Sequence, residues 1–76
     1  MTDTFSSRFG VEVRRLRLER GLSQEALAAM AGLDRTFISM VERGVRKPTL
    51  DSAKSIAEAL TLPLSEMIRS VEKLVC

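Results

Sequence analysis

Apolar residues recur along this chain at spacings of three and four, the period of helices that bury one face. Phe9, Val13 and Leu16 predict a first helix from about Ser6 to Arg20, with Ser6 or Ser7 as its cap. Gly21 closes it. The second helix opens at Leu22–Ser23–Gln24–Glu25, where Ser23 is a good N-cap, Leu22 can staple onto the core and Glu25 complements the positive helix end. Leu27, Met30 and Ala31 form its apolar stripe, Ala28 adds almost no bulk, and Gly32 ends it. A third helix runs from Asp34 to Arg43, between Gly32 and Gly44. Thr49 caps a fourth, whose buried stripe is Leu50, Ala53, Ile56, Ala57 and Leu60. Thr61–Leu62–Pro63 breaks the chain, and Leu64, Met67, Ile68, Val71, Leu74 and Val75 pattern a fifth helix over 64–76. Residues 1–5 read as a loose tail. The pattern predicts an all-α, compact five-helix bundle in a single domain over residues 1–76.

The third helix has two unlike faces. At about 100° per residue, Asp34, Phe37, Ile38, Val41 and Glu42 share one arc, and Arg35, Thr36, Ser39, Met40 and Arg43 share the other. The first arc suits burial. The second is a row of cationic donors, hydroxyls and one flexible apolar tip, without an acid. Such a face fits a DNA major groove, where an arginine fork grips guanine and short hydroxyl or apolar groups meet neighbouring base edges.

Composition narrows the field. The chain has 76 residues, a net charge of +2 and three aromatics, Phe5, Phe9 and Phe37. Its apolar mass of Leu, Ala, Val, Ile and Met favours helices over sheet. The positive charge is concentrated: residues 8–20 carry five arginines against Glu12 and Glu19, and residues 35–47 carry Arg35, Arg43, Arg46 and Lys47 against Glu42. Residues 48–76 are slightly acidic. A basic half suits a polyanion. With no histidine and Cys76 as the sole cysteine, neither a metal site nor a disulfide framework is expected, and no cofactor or small-molecule ligand. A reducing, cytoplasmic setting is the default, with no membrane-spanning run and no signal-peptide core. Lacking any catalytic constellation, the chain does not read as an enzyme.

The join between helices two and three is the most specific feature. Ala28 lets two backbones approach, Gly32 supplies a left-handed turn, and Leu27, Ala31, Leu33, Ile38 and Val41 anchor both helices. A plain αα-hairpin would explain those anchors, but not the acid-free outer face or the basic loop Gly44–Val45–Arg46–Lys47–Pro48 after it.

Gly21–Leu22–Ser23–Gln24–Glu25–Ala26–Leu27–Ala28 and Val41–Glu42–Arg43–Gly44, with Lys47–Pro48–Thr49–Leu50 following, resemble the lambda-repressor/Cro-type helix-turn-helix family. More narrowly, Leu33 to Ser39 followed by Glu42–Arg43 resembles the controller proteins of bacterial restriction–modification systems, small dimeric regulators. The resemblance implies a sequence-specific regulator of transcription on a palindromic double-stranded DNA operator. It assigns base reading to Arg35, Thr36, Ser39 and Met40, and phosphate contacts to Gln24, Arg43, Arg46, Lys47 and Ser52. It places Phe37 near bases or backbone, whereas the periodicity equally allows it in the core. It also implies an ion pair between Arg17 and Glu42, consistent with Glu42 at the edge of the buried arc. A homodimer through Leu64, Ile68 and Val71 is expected from the wide apolar stripe of the fifth helix. The competing reading is an antitoxin-type or phage-type repressor that also grips a partner protein.

Overall fold

The computed structural model describes residues 4–73. Leu74, Val75 and Cys76, and the first three residues of the expected tail, lie outside the described residues. Five helices follow in order: α1 (Phe5–Glu19), α2 (Gln24–Ala31), α3 (Arg35–Glu42), α4 (Leu50–Ala59) and α5 (Leu64–Lys73).

Side-chain caps set most of the helix starts. Ser23 Oγ accepts from the Ala26 amide at 2.9 Å, and Thr49 Oγ1 accepts from the Ser52 amide at 3.0 Å, as the sequence suggests. The first helix departs from expectation. Its cap is Thr4, whose Oγ1 accepts from the Ser7 amide at 3.1 Å, so Phe5 is the first residue of α1 and not part of a tail. Helix α3 is shorter than its periodicity suggests, because Asp34 and Arg43 are its caps, and Asp34 is exposed rather than on the buried face. Between α2 and α3, Gly32 adopts φ 69°, a conformation that costs a residue with a Cβ about 1–2 kcal/mol. The Leu33 amide then donates to Ala28 O at 2.8 Å and closes the turn. After α4 the same job falls to Thr61, at φ 64°, with the Leu62 amide donating back to Ala57 O at 3.1 Å.

Helix α1 packs on α3 and α5, α2 on α3 and α4, and α4 on α5. The shared core holds Phe9, Val13 and Leu16 from α1, Leu27 and Ala28 from α2, and Ile38 and Val41 from α3. Ala53, Ile56, Ala57 and Leu60 complete it with Met67 and Val71 of α5. Three expectations need correction. Met30 is 56% exposed, because α2 is clamped through Leu27, Ala28 and Ala31, and Met30 points about 110° away from the centre of that group. Leu50 is 80% exposed, because it is the first residue of α4 and lies about 70° off the stripe its later turns bury. Val71 is fully buried within the protomer, so it has no surface to offer a second subunit.

Gly10 fixes how closely α1 and α3 approach. A Cβ there would overlap the carbonyl oxygen of Val41, backbone against backbone. The hydrophobic pattern of α1 gives no hint of this role. Nor does it show that Glu12 is buried, with both carboxylate oxygens held by Arg15 at 2.6 and 3.1 Å. That hydrogen-bonded pair, with Glu19 nearby, raises the Arg15 pKa further above the ordinary arginine value.

Candidate nucleic-acid interface

Burial divides α3 along the line its sequence suggests. Ile38 and Val41 are fully buried and Glu42 nearly so, whereas Arg35, Thr36 and Arg43 are exposed and Ser39 and Met40 partly so. The five polar or flexible side chains therefore lie along one outward strip about two turns long. Phe37 stands at the boundary, half-buried and packed against the core.

A chain of polar contacts ties this strip to the body of the molecule. Arg17 of α1 grips Glu42 with two parallel bonds, Nε to Oε2 at 2.7 Å and the second guanidinium nitrogen to Oε1 at 3.1 Å. Its remaining nitrogen donates to Leu22 O at 2.8 Å, so one side chain links α1, the loop before α2 and the end of α3. Glu42 Oε1 also accepts from Gln24 Nε2 at 3.0 Å. An ionised carboxylate only accepts, so it must face the amide nitrogen of Gln24 and turn Oε1 the other way. That oxygen receives Arg35 at 3.4 Å. Gln24 thus spends one N–H on Glu42 and keeps the other for an outside acceptor.

Around Gln24 is an open depression of about 600 Å³ lined by Arg14, Arg17, Ser23, Gln24, Glu25 and Arg35. Arg14 is a lining residue that the sequence reading passed over, since on α1 it looks like one more solvated charge. The charge of Arg17 is matched by Glu42, which leaves Arg14 and Arg35 as the cations here against the single acid Glu25. On the other side of α3, a second depression of about 470 Å³ is lined by Gly32, Leu33, Asp34, Thr36, Phe37, Met40 and Arg46. There the Arg46 guanidinium lies over the Phe37 ring, 5.3 Å from its centroid. Lys47 is exposed in the same loop, and Arg43 caps α3 with its Nε 3.4 Å from Ser39 O. Ser52 is partly exposed, its hydroxyl accepting from Thr49 Oγ1 at 3.1 Å.

The structure therefore brings Gln24, Arg35, Thr36, Phe37, Ser39, Met40, Arg43 and Arg46 together around one helix. Among the described residues, no group of three or more carboxylates and cysteines is placed to hold a metal ion. No described helix is long and apolar enough to cross a membrane.

A short outward helix, tightly joined to a second one beneath it, is the geometry of a helix-turn-helix protein. A helix-turn-helix family model matches residues 13–67, and the chain belongs to that family. The control protein C.MunI of a Mycoplasma species is 42% identical over 67 residues, covering 87% of this chain and 90% of its own length. Control protein C.BamHI of Bacillus amyloliquefaciens is 39% identical, with 90% of this chain and 85% of the relative aligned. The crystal structure of the restriction–modification controller protein C.AhdI from Aeromonas hydrophila superimposes with a TM-score of 0.79 at 42% identity, over 82% of this chain and 94% of that one. The wild-type controller protein C.Esp1396I superimposes with a TM-score of 0.89 at 31% identity, over 97% of both chains.

Proposed function

We propose that this protein is a restriction–modification controller, a transcriptional regulator that binds operator DNA through the outward strip of α3. The observation that carries the reading is the exposure of Arg35 and Thr36 on a helix whose opposite face buries Ile38, Val41 and Glu42. It is supported by the similar controller C.Esp1396I, which has been solved bound to a 25 base-pair operator site and, as a tetramer, to its natural 35 base-pair operator. Controllers act by binding DNA, not as enzymes.

In the proposed complex Arg35 reads a guanine edge, and Thr36, Ser39 and Met40 meet neighbouring bases. Gln24 holds a phosphate with its second N–H, and Arg14 reaches the same strand. Arg43, Arg46, Lys47 and Ser52 hold the backbone on the far side of the groove. The active species is a homodimer reading a palindrome, with recognition helices one duplex turn, about 34 Å, apart. Its interface differs from the sequence expectation, because Val71 belongs to the core. Leu64 and Ile68 remain, both half-buried, and Ile68 lines a small depression of about 180 Å³ together with the exposed side chains of Phe5 and Leu50. A salient apolar leucine beside an apolar hollow is self-complementary across a two-fold axis.

Footprinting on DNA upstream of the protein's own gene tests the reading. Protection of two half-sites centred about one helical turn apart is expected. Binding that is no tighter there than on unrelated DNA would contradict it.

A further inference from the structure

Arg46 and Phe37 come from different elements, the loop before α4 and the recognition helix, yet the guanidinium sits 5.3 Å from the ring centroid. That is within the reach at which an aromatic face attracts a cation. We propose that Phe37 is a positioning residue that acts on DNA through Arg46, holding the guanidinium beside α3 before DNA arrives; this rests on the reading above that Arg46 meets the phosphate backbone.

Three observations converge. Phe37 packs against the core, so its ring is a fixed platform rather than a loose side chain. Arg46 is exposed on a loop that follows Gly44, where an arginine without a platform would sample many rotamers and lose that freedom on binding. Thr36 and Met40 line the same depression, so the held guanidinium sits at the margin of the strip proposed to enter the groove. A guanidinium lying over a ring keeps its in-plane N–H donors for phosphate oxygens. Asp34 is the acid in the lining of that depression. The arrangement reconciles the two roles open to Phe37 from sequence: its ring is anchored in the core and serves the DNA contact without touching a base.

The test measures equilibrium binding to the footprinted duplex, with thermal unfolding alongside, for Phe37→Leu, Phe37→Tyr, Arg46→Met and the Phe37→Leu/Arg46→Met double variant. Phe37→Leu should weaken binding roughly two- to fivefold, and Phe37→Tyr should restore it. In the Arg46→Met background, Phe37→Leu should have no further effect. Replacing Phe37 with mono-, di- and trifluorophenylalanine keeps the shape and withdraws charge from the ring face, so affinity should fall stepwise at constant melting temperature. Upfield ring-current shifts of the Arg46 δ-protons should be present in the free wild-type protein and absent from Phe37→Leu. Equal losses from Phe37→Leu in both backgrounds, or affinity indifferent to fluorination, would overturn the proposal while leaving Arg46 a DNA contact. An Arg46→Met variant with wild-type affinity and salt dependence would overturn the underlying reading as well.

Discussion

Glu42 does two jobs at one position: it neutralises Arg17 inside the protein and fixes the amide of Gln24 at its edge. Removing one partner of a buried ion pair strands the other, typically at a cost of about 3–5 kcal/mol. Glu42→Ala leaves Arg17 uncompensated at 7% exposure. It should destabilise the fold by about 3 kcal/mol in denaturant unfolding and weaken operator binding with it. A variant that keeps the wild-type melting temperature would contradict this. The ion pair was foreseeable from the resemblance together with the place of Glu42 on the helical wheel. The second half, from Gln24 to Arg35, was not, because it depends on which way an amide turns once a carboxylate stands beside it.

Among the elements, α3 was the most legible, since a strong alternation of faces on a short helix leaves few alternatives for which side is buried. Helices α2 and α4 were read well in their middles and poorly at Met30 and Leu50. Both are apolar residues near a helix end, where periodicity alone cannot tell core from surface. Gly10 was invisible for a different reason. A pattern of apolar positions records which side chains are buried, not where two backbones nearly touch. Because the missing Cβ faces the carbonyl of Val41, Gly10→Ala must push α1 and α3 apart. Overpacking of this kind costs about 1–3 kcal/mol, and here it also tilts the recognition helix. Expected are a lower unfolding midpoint and weaker operator binding; a variant with unchanged midpoint and affinity would contradict the close crossing.

At the scale of the molecule, the proposed dimer depends on which apolar surface meets a second copy. The described bundle extends 31 × 24 × 23 Å, so a single protomer is shorter than the spacing of two half-sites. Leu50→Asp and Ile68→Asp should each give monomers in sedimentation, with helical content retained and operator affinity lowered. Val71→Asp should instead unfold the protein, since it places a charge in the core. Dimers persisting in both Leu50→Asp and Ile68→Asp would move the interface elsewhere.

In the proposed complex the outward strip of α3 reads base edges while the flanking arginines hold the backbone. The most direct measurement is a base-substitution scan of the footprinted operator with wild-type protein, Arg35→Ala and Arg46→Ala. Arg35→Ala should cost about 1–3 kcal/mol and lose discrimination at one base pair per half-site. Arg46→Ala should weaken every sequence similarly and flatten the salt dependence by about one unit of slope per half-site. Equal losses for both variants on operator and on random DNA would contradict it.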